Sequence, residues 1–235
     1  MRLKWTDEVR EKMKARLAEI GGSTVDTHIK FIQEVFDNAI VKGSMYCFTA
    51  PTNTGKTTLL LAIAKNLARQ GKRTVFITKE QSIEQMAKKI GLEESIPNLT
   101  ISDDLDDILH AGLEYENPEY VIYDYIGADL KLGKWDEIIT FADKLAEYCK
   151  SVNCVLFTAC QATPELAIKY EENPLDPSLS TPMYVAYSKG ITNKATGSAY
   201  LLKNGALINF KNRYGERDRR SSVKIDFVHC EVTGV

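Results

Sequence analysis

The chain has 235 residues, a formal net charge of −2 and 26% charged side chains. That is enough to bury a substantial core as one large domain, and it lacks the global basic field that draws a protein to polyanions. Five cysteines, Cys47, Cys149, Cys154, Cys160 and Cys230, are odd in number, lie mostly in apolar patterns and form no CxxC pair, which favours buried thiols in a reducing cytoplasm over disulfides or zinc. The N-terminus MRLKWTDEVREK has no apolar centre of signal-peptide type, and no run approaches the roughly eighteen apolar residues of a membrane span, so a soluble, cytoplasmic protein without a membrane partner is expected.

Leu3, Val9, Met13, Leu17 and Ile20 recur near helical spacing among charges, and Gly21-Gly22 follows, which predicts an amphipathic helix over 3–20. A second helix is expected from His28 to Ile40. Residues 1–40 thus read as an N-terminal helical linker or interface segment, and 41–235 as the main domain. From Gly43 onward short apolar strands alternate with amphipathic helices: strand 45–50, strand 75–78, helix Ser82–Ile90, strand 99–102, helix Asp104–Leu113, strand 120–126, helix Trp135–Ser151 and strand 154–160. This grammar argues for an α/β fold with a mostly parallel central sheet covered by helices on both faces. After residue 164 it changes. EENPLDPSLSTP (171–182) reads as a loop, and SAYLL, ALINFK and SVKIDFVH read as short strands joined by tight or charged turns, a C-terminal antiparallel hairpin extension.

Ala50 to Thr57, A-P-T-N-T-G-K-T, has the Walker A spacing with alanine in place of the first glycine. A tight loop between strand and helix aims successive backbone N–H groups and a helix N-terminus at a phosphate chain. Ala50, Pro51, Thr52, Asn53, Thr54, Gly55, Lys56, Thr57 and Thr58 are the nucleotide-binding candidates, with Lys56 reaching the β and γ phosphates and the Thr57 hydroxyl reaching Mg²⁺. ATP and Mg²⁺ are the expected ligands. Asp124 ends the apolar strand YVIYD, where a carboxylate can hold the magnesium shell; a helix cap or turn former is the alternative. Tyr125 follows it where many ring ATPases carry the water-activating glutamate, so the base must come from elsewhere. Glu80, after the strand RTVFIT, is the leading candidate to orient and deprotonate water, unless it only favours the first turn of the next helix.

Four stretches resemble the RecA-like motor domain of DnaB-type replicative helicases of superfamily 4, over roughly residues 40–228: FITKEQSIEQMA, VIYDYI, VLFTACQ and FKNRYG. The resemblance implies a RecA-like P-loop NTPase fold and a catalytic role for Glu80. It makes Gln161 a sensor joining the γ-phosphate to a DNA-facing loop, and it sends Lys211 and Arg213 across a subunit interface to a neighbour's γ-phosphate. It further implies a homohexameric ring or filament on single-stranded DNA in DNA replication, with a primase or helicase loader as partner. Lys131, Lys134, Lys189 and Lys194 stand where the family's pore loops would be and are candidate DNA contacts, or else ordinary solvated lysines; Glu171, Glu172 and Asp176 nearby would oppose DNA. Two other readings stand beside this one: a RecA-like recombination or assembly factor that does not unwind DNA, and a nucleotide-dependent regulatory module with slow turnover.

Overall fold

Burial on both faces dictates the centre of the molecule. In the computed structural model, which describes residues 6, 10–11, 24–91, 95–103, 118–127, 135–186 and 189–235, every residue of β1 (Ser44–Ala50), β2 (Thr74–Thr78), β4 (Tyr120–Asp124) and β6 (Gly197–Leu201) is buried. In β5 (Val155–Gln161) only the last residue, Gln161, is partly open. Strands apolar on both sides must be covered on both sides, and the parallel arrangement with crossover helices does this. With β3 (Leu99–Ser102) they form a parallel array in the order β3-β2-β4-β5-β1-β6. β7 (Ala206–Asn212), β8 (Arg220–Asp226) and β9 (Glu231–Gly234) continue the sheet antiparallel.

The period of two along each strand sorts the core into two layers. Tyr46, Phe48 and Ala50 of β1 face a cluster with α1 (Lys30–Val35), α2 (Lys56–Arg69) and α3 (Ile83–Ile90); Met45 and Cys47 face the other, with α4 (Trp135–Val152), α5 (Glu165–Glu172) and α6 (Lys189–Lys194). All five cysteines are free and buried, and no helix among the described residues is long and apolar enough to cross a membrane.

The expected α/β architecture with its antiparallel extension is therefore present, with local differences. The helix expected over His28–Ile40 is the shorter α1, because Asp37 and Asn38 take left-handed φ values of 55° and 54° and end it. The released carbonyls of Val35 and Phe36 accept from the side-chain amides of Asn209 (2.7 Å) and Asn212 (2.9 Å), partners too distant in sequence for local patterning to reveal. Ile29, Phe31, Ile32, Val35, Phe36 and Ile40 all join the core shared with β1 and α2. The stretch 171–182, read as a loop, begins with the end of α5 and holds a 3₁₀ turn, Pro177–Ser180, capped by Asp176. SVKIDFVH is not one strand: the Asp226 carboxylate accepts the N–H groups of Val228 (2.8 Å) and His229 (3.1 Å), and this Asx-type turn folds β9 back along β8. The helices expected over 3–20 and 104–113 lie outside the described residues.

Gly205 makes the β6–β7 turn possible, with φ at +85° and the position of a Cβ only 1.8 Å from the Val223 carbonyl oxygen. Both the left-handed backbone and the strand behind it exclude a side chain. Gly205→Ala should therefore cost more than about 2 kcal/mol, read as a lower urea midpoint for unfolding; a midpoint equal to the parent's would remove the argument.

Candidate nucleotide site

Parallel strands end on one side of a sheet, and here that side collects the chemistry. Ala50, the last residue of β1, stands opposite Gln161, the last of β5. Thr78, the last of β2, stands opposite Asp124, the last of β4. The chain leaves β1 toward β2 on one flank and later returns to β6 on the other, so the crevice at the end of β1 is the switch point where α/β sheets take ligands.

The loop from Pro51 to Gly55 turns tightly, with left-handed φ at Asn53 (59°) and Gly55 (103°), before α2 begins at Lys56. Gly55 is required for a second reason, since a Cβ there would lie 3.0 Å from the Phe227 ring. Lys56, 9% exposed, donates to the Ala50 (3.3 Å) and Pro51 (3.1 Å) carbonyls. Burial lowers its pKa, and the charges of Glu80, Cys160 and Asp124 work against that. The Thr57 hydroxyl donates to Glu80 Oε2 at 3.4 Å, and the Gln161 amide to the Thr52 hydroxyl at 2.6 Å. The residues sought in the sequence as phosphate cradle, base and sensor thus line one cleft of about 310 Å³.

Asp124 is wholly buried, and neither carboxylate oxygen has a hydrogen-bond partner. Burial pushes its carboxyl up to about 6; the Glu80 charge adds to this, and the Thr57 hydroxyl with the Lys89 and Lys56 ammonium groups opposes it. An orphaned carboxylate at the end of a strand, near the Thr57 hydroxyl, fits a divalent cation. No group of three or more acidic, histidine or cysteine side chains among the described residues could enclose a metal. This suits Mg²⁺, which is typically held by one or two protein oxygens with phosphate and water completing the shell.

Three lining residues escaped the sequence reading. Gln81 and Lys89 come with the Glu80 segment and α3. Phe227, 60% exposed, comes from the β8–β9 turn, which is anchored by Asp226 and by the Lys65 ammonium donating to the His229 carbonyl at 3.3 Å. An exposed aromatic at the rim of a cleft is the signal, and it becomes visible only once β9 folds back.

Lys211 and Arg213 lie elsewhere. Lys211 donates to the Thr192 (2.6 Å) and Asn193 (2.9 Å) carbonyls and Arg213 to Asn193 (2.9 Å), at the C-terminal end of α6. Arg213 N–H bonds Thr196, whose own N–H bonds Met45 at the start of β1, so this pair sits at the opposite edge of the sheet from the P-loop. Lys194 pairs with Asp143 of α4 at 2.6 Å, Lys189 is exposed, and Lys131 and Lys134 lie outside the described residues.

No protein-family profile matches the chain. Among curated proteins it is similar to the DNA repair protein RadA of Campylobacter jejuni, 38% identical over 72 residues, and of Rickettsia bellii, 28% identical over 152 residues. The matches span 30% and 60% of this chain, but only 16% and 34% of those relatives' length. Among solved structures, a free-standing ATPase domain superposes over 100% of both chains with a TM-score of 0.73 at 13% identity. A DnaB-like replicative helicase, solved with its interactions with primase, covers 99% of this chain and 67% of its own with a TM-score of 0.75 at 12% identity. The KaiC-like protein PH0186 of Pyrococcus horikoshii gives 0.64 at 17% identity over 90% of this chain. The fold is RecA-like. Within that RecA-like fold, the end-to-end match to the solved ATPase domain accounts for the parallel array and for the antiparallel strands after it.

The orphaned Asp124 sets up a trade between stability and function. A carboxyl whose folded pKa is raised stabilises fully below its unfolded pKa, and this is lost as pH rises through the folded value, here from about 4 to about 6. Asp124→Asn should therefore raise the melting temperature of the ligand-free protein at pH 7 while removing Mg²⁺-dependent hydrolysis; a lower melting temperature would show that the carboxylate is already compensated. In the parent, Mg²⁺-dependent nucleotide affinity should fall roughly tenfold between pH 7 and pH 5 as Asp124 takes up a proton.

Phe227 yields a second test. Its ring borders the cleft beyond Gly55, where it can cover a nucleobase but not a phosphate. Phe227→Ala should weaken ATP binding several-fold, about 1 kcal/mol, and leave inorganic tripolyphosphate binding unchanged in calorimetric titrations. Equal losses for both ligands would place the ring's effect on the loop instead.

Proposed function

We propose that the chain is the ATPase motor of an oligomer that hydrolyses ATP·Mg²⁺ at sites completed between subunits and uses the energy to move along single-stranded DNA, in the manner of DnaB-type helicases. The observation that carries this reading is the division of one site's parts between two edges of one sheet. The cradle, acid and sensor stand at the C-terminal ends of β1, β2, β4 and β5, whereas Lys211 and Arg213 reach α6 at the far edge. From backbone spacings, the separation is roughly 15 Å along the strands and roughly 10 Å across them. A cation so placed cannot serve its own P-loop, and in a head-to-tail assembly it can serve the next one.

The roles follow from the geometry. Lys56 leaves its loop carbonyls for the β and γ phosphates, and Thr57 and Asp124 supply oxygens to the metal. Bound Mg²⁺ neutralises charge on the phosphate oxygens. Glu80, held by the Thr57 hydroxyl, is the group that orients and deprotonates water. Gln161 can exchange the Thr52 hydroxyl for a γ-phosphate oxygen, and its carbonyl accepts the Ala186 N–H at 2.8 Å, which ties the sensor to the segment leading to α6. Lys189 and the lysines at 131 and 134 are the proposed DNA contacts; Lys194 would have to leave Asp143 to join them. A homohexamer working with a primase or loader in the cytoplasm completes this reading.

The RadA relatives favour a second reading, a repair or recombination ATPase that binds single-stranded DNA without unwinding it. Hydrolysis measured with and without single-stranded DNA, followed by unwinding of a forked duplex, separates the two. Stimulation with unwinding supports the motor, stimulation without unwinding supports the second reading, and no response to DNA removes both in favour of a regulatory nucleotide-binding module.

Shared sites have their own test. Arg213→Ala and Lys56→Ala chains should each be nearly inactive, and a mixture allowed to exchange subunits should regain activity, because some interfaces then join an intact cradle to an intact finger. No recovery in verified mixed assemblies would confine Arg213 to its own chain. Lys211 is pushed down to about 8, chiefly by burial, with the Arg213 and Arg217 charges adding. The activity should therefore decline above pH 8 as Lys211 loses its charge, and Lys211→Arg should move that alkaline limb upward.

A further inference from the structure

Tyr125 follows Asp124 directly, and its ring centroid lies 5.6 Å from the Lys56 ammonium, within the range of a cation–π attraction. The ring is half-buried against the core layer that holds α2 and borders the nucleotide cleft. Lys56 has two hydrogen bonds, both to carbonyls of its own loop, and no ion pair among the described residues. An ammonium largely withdrawn from water needs compensation. Two carbonyl oxygens supply part of it. The face of the Tyr125 ring supplies more, without the full negative charge that would hold the lysine in place. A carboxylate at position 125 would pair with Lys56, and that pair would have to break before the lysine could meet a phosphate.

We propose that Tyr125 is a positioning residue for Lys56: its ring, rather than its hydroxyl, supports the ammonium at the floor of the cleft and leaves it free to transfer to the triphosphate. This inference deepens the P-loop reading and rests on it. The predicted consequence is on affinity, because support for the unoccupied lysine and its release both precede the chemical step.

The test uses the full chain carrying Tyr125→Phe, Tyr125→Leu, Tyr125→Glu or Lys56→Ala, with Mg²⁺ present throughout. Dissociation constants for ATP and for inorganic tripolyphosphate, steady-state kcat and KM, and melting temperature are measured for each. Tyr125→Phe should bind both ligands within about twofold of the parent, and Tyr125→Leu should bind both roughly fivefold more weakly. In Tyr125→Leu the loss should fall on KM, with kcat nearly unchanged. Tyr125→Glu should bind more weakly still. A merely structural role predicts instead a loss of kcat that follows melting temperature across the series. The proposal is overturned if Tyr125→Leu binds as the parent does, if Tyr125→Phe loses as much as Tyr125→Leu, or if only ATP and not tripolyphosphate is affected. Lys56→Ala separates the two levels. If it binds ATP as well as the parent, the P-loop reading itself fails and takes this inference with it; if it abolishes binding while Tyr125→Leu does not weaken it, only the role of Tyr125 fails.

Discussion

The register of four parallel strands is the constraint on which the rest depends. Ala50 aligned with Gln161 and Thr78 aligned with Asp124 put residues from four separate stretches of sequence at one level of one sheet edge. A slip of one residue in either pair would turn the end residue to the opposite face. The two-layer core resists that slip, because Tyr46 and Phe48 face one layer while Met45 and Cys47 face the other, and each layer would have to accept side chains of the wrong volume. Packing energy spread over the whole core thus sets the geometry of a few polar atoms at its rim.

Those polar atoms are not arranged for stability. Asp124 is buried with both oxygens unpartnered, and Lys56 is withdrawn from water against its own backbone. Each state is unfavourable without a ligand, and each is answered by the same ligand, a triphosphate with its metal. Their coexistence within one cleft is the pattern of a binding site maintained at the expense of stability. Surrounding contacts hold the parts in waiting: Thr57 on Glu80, Gln161 on Thr52, and the Tyr125 ring beside Lys56. Each of these is weak or neutral enough to be exchanged for a phosphate or water partner.

The antiparallel strands do two further things. β8 and β9 fold over α2, so that Val232 enters the core beside the P-loop helix and Phe227 meets Gly55. β7 carries Lys211 and Arg213 to the far edge, onto the carbonyl end of α6. One extension therefore closes the chain's own cleft and presents cations away from it.

The sequence by itself determined the α/β class, the order of most elements, the phosphate loop and the acidic and amide residues at strand ends. Those signals are local: period-two apolar runs, a Gly-Lys-Thr turn before a helix, a polar residue ending a buried strand. Ser82 with Gln85 is a further case, a capping box legible as SIEQ and present at the start of α3. Tertiary structure alone decided what depends on partners distant in sequence. The His28–Ile40 segment shortens to α1 because Asn209 and Asn212 take its last carbonyls. SVKIDFVH breaks into a turn because Asp226 gathers the N–H groups that follow it, which brings Phe227 over the cleft. Lys194 resembles any solvated lysine until α6 packs beside α4 and offers it Asp143. A side chain's charge and shape are written at its own position, but the atoms that meet it are chosen by the packing of the whole chain.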